Sequence, residues 1–158
     1  MKKAVFPGSF DPVTMGHINI IERASHLFSE VVIAVSEVSS KQMLWDLSQR
    51  TQMMEAAVGH LPNVRVEAFS GLLVDFLKAQ NIPLLVRGVR SLMDWNYEHE
   101  MSLLNQKLWA DVETIYLSAH SEHTVMSSTF VRQVWTLGGD LSNLVPAPVL
   151  ELMHHFSS

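Results

Sequence analysis

The chain has no cysteine, which removes disulfide bridges, thiolate metal centres and cysteine nucleophiles together. That absence agrees with a reducing compartment, and the expected location is the cytoplasm. Positive charge is scarce: 11 lysines and arginines stand against 16 acidic residues, for a net charge of −5. Broad nucleic-acid binding needs many cations to neutralise phosphates and is not expected. No apolar run approaches the roughly 18 residues that cross a bilayer, so no membrane partner is expected. The opening Met1-Lys2-Lys3-Ala4-Val5-Phe6 has a basic start, but Pro7 and Gly8 end it far sooner than a secretory segment ends. It reads as a first strand. Also missing are a G-x-x-x-x-G-K-[ST] phosphate loop and a G-x-S-x-G elbow, which argues against a γ-phosphate kinase and a serine hydrolase.

What remains is a chain of 158 residues, 47% hydrophobic and 17% charged. That length fits one domain over residues 1–158, able to bury roughly 70% of its unfolded surface. Short β-branched runs at Lys3 to Pro7, Val31 to Ser36, Val64 to Phe69, Leu84 to Val86 and Thr114 to Leu117 predict five strands. Between them lie helical stripes. Ile18, Ile21, Ala24 and Phe28 share a face; Asp46 with Gln49 forms a cap before Leu47, Met54, Ala57, Val58 and Leu61; Leu72 to Gln80 closes at Asn81 and Pro83. Ser91-Leu92-Met93-Asp94 has the form of a capping box. The helix after it carries Leu92, Trp95, His99 and Leu103 on one stripe and Tyr97, Met101, Leu104 and Leu108 on another, which predicts two covered faces, one on the sheet and the other against a neighbouring subunit or along a deep crevice within one subunit. A helix from about Ser127 ends at Gly138-Gly139, and a last one follows Pro146 or Pro148. Alternating β and α units predict an α/β fold, a doubly wound Rossmann-like domain with a five-stranded parallel sheet and helices on both faces. Its ligand belongs at the carboxyl ends of the strands.

The richest segment is Pro7-Gly8-Ser9-Phe10-Asp11-Pro12-Val13-Thr14-Met15-Gly16-His17, a strand leading through a glycine turn to a helix start. Gly8 and Gly16 allow close backbone approach, and the helix start favours an anion. His17 in that first turn offers a ring N–H whose charge can change near neutral pH. Other polar groups follow strand ends: Ser39-Ser40-Lys41, Arg87-Gly88-Val89-Arg90 and Ser127-Ser128-Thr129. Folding would bring them to one edge as a cationic pocket. Each has an ordinary reading beside this one: Lys41 as a solvated loop lysine, Arg87 and Arg90 as a surface pair, Ser127 as a helix cap, Trp95 and Tyr97 as core aromatics. The His154-His155 pair has no ligand spacing, and no protein metal site is expected.

In order and spacing these residues resemble the nucleotidyltransferases with a G-x-F-D-P turn and a T/H-x-G-H helix start, and within them the bacterial phosphopantetheine adenylyltransferases. The match runs through Pro7 to Pro12, Thr14 to His17, Ser40-Lys41, Arg87 to Arg90, Asp94 with Tyr97-Glu98, Asn105, and Ser127 to Thr129 with Val131-Arg132. The resemblance implies adenylyl transfer from ATP to 4′-phosphopantetheine, giving dephospho-coenzyme A and pyrophosphate, with Mg2+ carried on ATP, coenzyme A as a feedback ligand, and a homohexamer. It implies His17, Lys41 and Arg90 as catalytic residues. It gives ATP to Ser9, Phe10, His17, Gly88, Arg90, Glu98, Ser127, Ser128 and Thr129, and phosphopantetheine to Ser9, Lys41, Leu72, Leu73 and Arg87. The chain departs from the pattern at Ser9 and Thr129, at Ser48-Gln49-Arg50, and at His123, which stands on the adenine side where an aromatic residue is usual. With no serine paired to a His-Asp relay, direct attack by the acceptor phosphate is the expected route, without a covalent enzyme intermediate. Two rivals stay open: another small-molecule adenylyl- or cytidylyltransferase, and a non-catalytic nucleotide sensor on the same fold.

Overall fold

The computed structural model of the protein describes residues 2–37, 43–123 and 126–158. Five strands, β1 (Lys3–Gly8), β2 (Glu30–Ser36), β3 (Val64–Phe69), β4 (Leu84–Val89) and β5 (Glu113–Ser118), form one parallel sheet in the order β3-β2-β1-β4-β5. Six α-helices join or follow them: α1 (Met15–Leu27), α2 (Leu47–Val58), α3 (Leu73–Gln80), α4 (Leu92–Leu108), α5 (Ser128–Thr136) and α6 (Ala147–Phe156). The expected doubly wound α/β architecture is what the chain forms.

Strand alternation sorts the core into two layers. Ala4, Phe6, Val31, Ile33 and Val35 face α1, α2, α5 and α6, through Ile21, Met54, Val131 and Val149 among others. Val5, Val32, Ala34 and Leu85 face the other way, onto Leu77 of α3 with Ile82 and Val112. Both faces of β2 are therefore apolar, the pattern of a central parallel strand. No helix among the described residues is long and apolar enough to cross a membrane.

Helix α4 meets the sheet through Trp95, whose ring lies 4.7 Å from that of Tyr116 of β5 between centroids, and through Glu98, its buried residue; Tyr97 and Met101 of the second stripe line a crevice, while Leu92, Leu103, Leu104 and Leu108 are exposed in the single chain. One expectation changes: the fourth strand runs three residues further than Val86, so Arg87 and Gly88 sit inside β4 and do not follow it.

Sheet order reverses between β1 and β4, where a doubly wound fold opens its crevice. Their ladder pairs Val5 with Leu85. Beyond it Pro7 has no N–H to donate, and its carbonyl accepts a 2.5 Å hydrogen bond from Nη1 of Arg87. A side chain thus stands where the ladder would have continued.

Candidate active site

Above that crevice lie two cavities of about 350 and 200 Å3, both touching Pro7, Gly8, Arg87 and Glu98. The larger brings together Ser9, Phe10, His17, Gly88, Arg90, Glu98 and the Ser127 to Thr129 segment. The smaller runs between β1, α3 and α4, past Phe69, Leu73, Tyr97, Met101 and Asn105.

Helix α1 begins with a reciprocal cap that also fixes His17. The Thr14 hydroxyl accepts from the His17 backbone N–H at 3.3 Å, and His17 Nδ1 accepts from the Thr14 backbone N–H at 3.0 Å. A ring nitrogen that accepts carries no proton, so the neutral imidazole is protonated on Nε2. Phe10 packs its edge against the ring at 5.0 Å between centroids, with Phe6 behind. Burial, with the guanidinium groups of Arg90 and then Arg87 nearby, lowers the His17 pKa to about 3. His17 is therefore a neutral N–H donor at physiological pH and does not change charge there, contrary to the sequence expectation. Burial, which a hydropathy pattern does not show for a residue in a first helical turn, is the reason.

Gly8, Gly16 and Gly88 line the larger cavity, and the protein's own side chains crowd two of them as well. A Cβ on Gly8 would sit 2.8 Å from the Phe10 ring, and one on Gly88 would sit 3.1 Å from Ile20 of α1. What approaches those backbones so closely is the protein's own side chains: Phe10, at a positive φ of 48° and only 3% exposed, folds back over Gly8 to support His17.

Arg87 is held on three of its nitrogens. Its Nε and Nη2 donate to the two carboxylate oxygens of Glu98 at 2.7 and 2.6 Å, forming a two-pronged pair that separates the cavities. Arg90 is held by Asp94, whose Oδ2 accepts from both its backbone N–H and Nε. Asp94 thus reaches past Ser91, the cap residue, and the capping box is only half made. At α5 the Ser127 hydroxyl caps the helix, Ser128 donates to the Pro12 carbonyl at 2.7 Å, and Thr129 accepts from Arg132 at 3.2 Å. With their hydroxyls so used, the first-turn N–H groups of Ser128 and Thr129, which have no carbonyl within the helix, are what this segment offers an anion.

Among the expected phosphopantetheine contacts, Leu73 lines the smaller cavity, while Leu72 is the exposed residue that precedes α3. Lys41, with Ser39 and Ser40, lies outside the described residues. His123 lines the larger cavity, its Nδ1 3.3 Å from the Met126 sulfur.

Sequence reasoning gave no role to Asp11, Arg50 or Arg132. Asp11 is wholly buried and accepts the backbone N–H groups of Leu44 and Trp45, each at 3.0 Å. Arg50, also buried, donates to the carbonyls of Ser9, Ser36 and Trp45. An Asp before Pro reads as turn punctuation, and partners more than thirty residues away leave no local trace. Arg132 stood among the residues that carry the family resemblance, without a role of its own.

Magnesium is the ion that ATP chemistry implies, and the donor set does not suit a resident ion. Among the described residues no three His, Asp or Glu groups converge. Asp11 serves backbone amides, while Glu98 and Asp94 serve arginines. These residues do not fit a protein metal site.

A cytidylyltransferase-like family model matches residues 5–134. A phosphopantetheine adenylyltransferase of Heliobacterium modesticaldum is 44% identical, over 97% of this chain and 91% of its own. That of Actinobacillus succinogenes is 43% identical, over 98% and 96%. In fold, the chain is similar to a solved structure described as a candidate nicotinate-nucleotide adenylyltransferase from Vibrio parahaemolyticus. The TM-score is 0.74 and the identity 23%, covering 98% of this chain and 93% of that one.

Proposed function

The chain belongs to the phosphopantetheine adenylyltransferases of the cytidylyltransferase-like family, and from that premise we propose how its two cavities divide a nucleotidyl transfer. ATP occupies the larger cavity and 4′-phosphopantetheine reaches in through the smaller one. The products are dephospho-coenzyme A and pyrophosphate. The observation that carries this reading is the pair of adjoining cavities, one ringed by fixed N–H donors and guanidinium groups, the other walled by Phe69, Leu73 and Met101. A triphosphate suits the first and a mostly apolar arm suits the second.

The acceptor phosphate is already a nucleophile, so the protein has to align it with the α-phosphorus and stabilise charge as it moves to the equatorial oxygens and the leaving pyrophosphate. His17 Nε2–H is the donor for an equatorial oxygen. Because its tautomer and ring plane are fixed beforehand, it needs no reorganisation when the charge develops. Arg90 and the start of α5 face the β- and γ-phosphates, and Lys41 is assigned to the acceptor phosphate on resemblance. Arg87 stands at the junction, where an incoming phosphate shares it with Glu98. Magnesium arrives on ATP, and no step is routed through it.

By the same reading the chain acts as one domain within a homohexamer in the cytoplasm. Coenzyme A, which shares the pantetheine arm of the product, competes for the smaller cavity. The deciding experiment measures pyrophosphate release from ATP with 4′-phosphopantetheine, nicotinamide mononucleotide or glycerol phosphate as acceptor. Release is expected with the first alone; equal or faster release with either other acceptor overturns the assignment. Exchange of labelled pyrophosphate into ATP, dependent on dephospho-coenzyme A, separates an enzyme from a sensor.

A further inference from the structure

Arg50 is 2% exposed, and the phosphoryl-transfer scheme gives it no part. Its Nη1 donates to the carbonyls of Ser9 and Ser36 at 2.6 and 2.9 Å, and its Nε to that of Trp45 at 3.1 Å. Ser9 and Ser36 directly follow Gly8 and Val35, the last pair of the β1–β2 ladder, so the guanidinium spans the two strands where their own pairing ends. Burial lowers the Arg50 pKa, and among the described residues the guanidinium meets carbonyl oxygens and no carboxylate. Burying a cation in this way costs far more than burying a neutral donor, so its charge needs a reason.

The carbonyl it holds most closely adjoins the most constrained backbone of the site. Phe10 has a φ of 48°, a left-handed conformation that an aromatic residue adopts only when its surroundings impose it. Phe10 is 3% exposed and its ring packs on Gly8 and His17, so the backbone is what it has left for the cavity it lines. The Ser9–Phe10 peptide is trans, which puts the Phe10 N–H opposite the carbonyl that Arg50 holds. Among the described residues that N–H has no acceptor.

We infer that Arg50 is a positioning residue: it holds the Ser9 carbonyl so that the Ser9–Phe10 peptide keeps its N–H turned to the larger cavity, as a donor to a phosphate oxygen of the nucleotide. This rests on the reading that the larger cavity receives ATP. A peptide plane fixed before the ligand arrives needs no reorganisation when it binds. A neutral side chain could hold a carbonyl as well. A guanidinium also polarises it, which strengthens the N–H of the same peptide as a donor and accounts for a charge in this place.

Calorimetric titration of the full chain with ATP and, separately, with adenosine tests this with no acceptor present. Arg50→Gln is expected to raise the ATP Kd about 10-fold or more, the effect of losing a hydrogen bond to a charged group. Adenosine has no phosphate, and its Kd should stay within about 2-fold, a split that general loss of structure does not produce. Arg50→Lys should recover part of the ATP affinity, since an ammonium keeps the charge but not the planar fork. Replacing Phe10 by phenyllactic acid puts an ester oxygen where the N–H stood, and it too should weaken ATP about 10-fold or more. In the Arg50→Gln background the ester should add less than about 2-fold, because coupled groups are not additive. An Arg50→Gln protein that binds ATP like the parent, equal losses for ATP and adenosine, or full additivity would overturn the inference. If Arg50→Gln fails to fold, Arg50→Lys takes its place in the cycle, and the ester chain, which keeps Arg50, still decides: ATP affinity equal to the parent's removes the donor that Arg50 is inferred to hold. ATP that does not bind the parent chain overturns the reading of the cavity and this inference with it. Failure of the phosphopantetheine assignment leaves the result intact.

Discussion

The two cavities share Pro7, Gly8, Arg87 and Glu98 yet are built on opposite principles. Around the larger one, nearly every polar side chain is held by a protein partner: His17 by Thr14, Arg90 by Asp94, Arg132 by Asp11 and Thr129. Around the smaller one, the outer wall is α4, which buries only Glu98 and leaves Tyr97 and Met101 exposed. Charge has to be stabilised at a defined point, within a fraction of an ångström, and this requires donors fixed before the ligand arrives. An apolar arm is recognised by area, which has no direction, so its wall tolerates looser packing.

The contrast is tested most severely at His17. His17→Ala is expected to lower kcat by about 100- to 1,000-fold, as for loss of one preorganised donor, with KM for ATP changed far less. Steady-state pyrophosphate release gives both constants, and near-normal turnover would remove His17 from the chemistry. The same ring predicts a pH effect on stability. Its pKa falls from 6.5 to about 3 on folding, so between those values the unfolded chain takes up a proton that the native one refuses. Stability therefore declines as pH drops through that window. Urea titrations at pH 7 and pH 4.5 should show a smaller decline in His17→Gln.

Gly8→Ala comes next. The added methyl meets the Phe10 ring at 2.8 Å, so an overpacking loss of about 2 kcal/mol is expected, read from urea unfolding. Because Phe10 supports His17, kcat should fall with it; an unchanged kcat would show that the aromatic support is dispensable. The smallest effect belongs to the looser cavity. Leu73→Ala should raise KM for phosphopantetheine about 5-fold, as expected for partial loss of apolar contact, with KM for ATP unchanged. Equal changes in both constants would mean that the cavities are not separate in function.

Much of this was legible from local pattern. Strand runs and helix stripes gave the element order, and Asp46 with Gln49 announced the cap that α2 has. The G-x-F-D-P and T-x-G-H segments drew attention to His17, and the rule that ligands gather at strand ends grouped Arg90 with Ser127. What local pattern did not show came from remote parts of the chain: the charge state of His17 depends on burial and on Arg90 and Arg87, and Ile20 crowds Gly88 only once α1 packs on the sheet.

By itself, then, the sequence determined the parallel α/β order, the lack of thiol chemistry and the residue types available at the strand ends, since these follow from local periodicity and composition. The tertiary structure alone decided the protonation and tautomer of His17, the pairing of Arg87 with Glu98, and the burial of Asp11 beneath Arg132. Those depend on desolvation and on charges brought within a few ångströms from remote parts of the chain, which no pattern along the chain encodes.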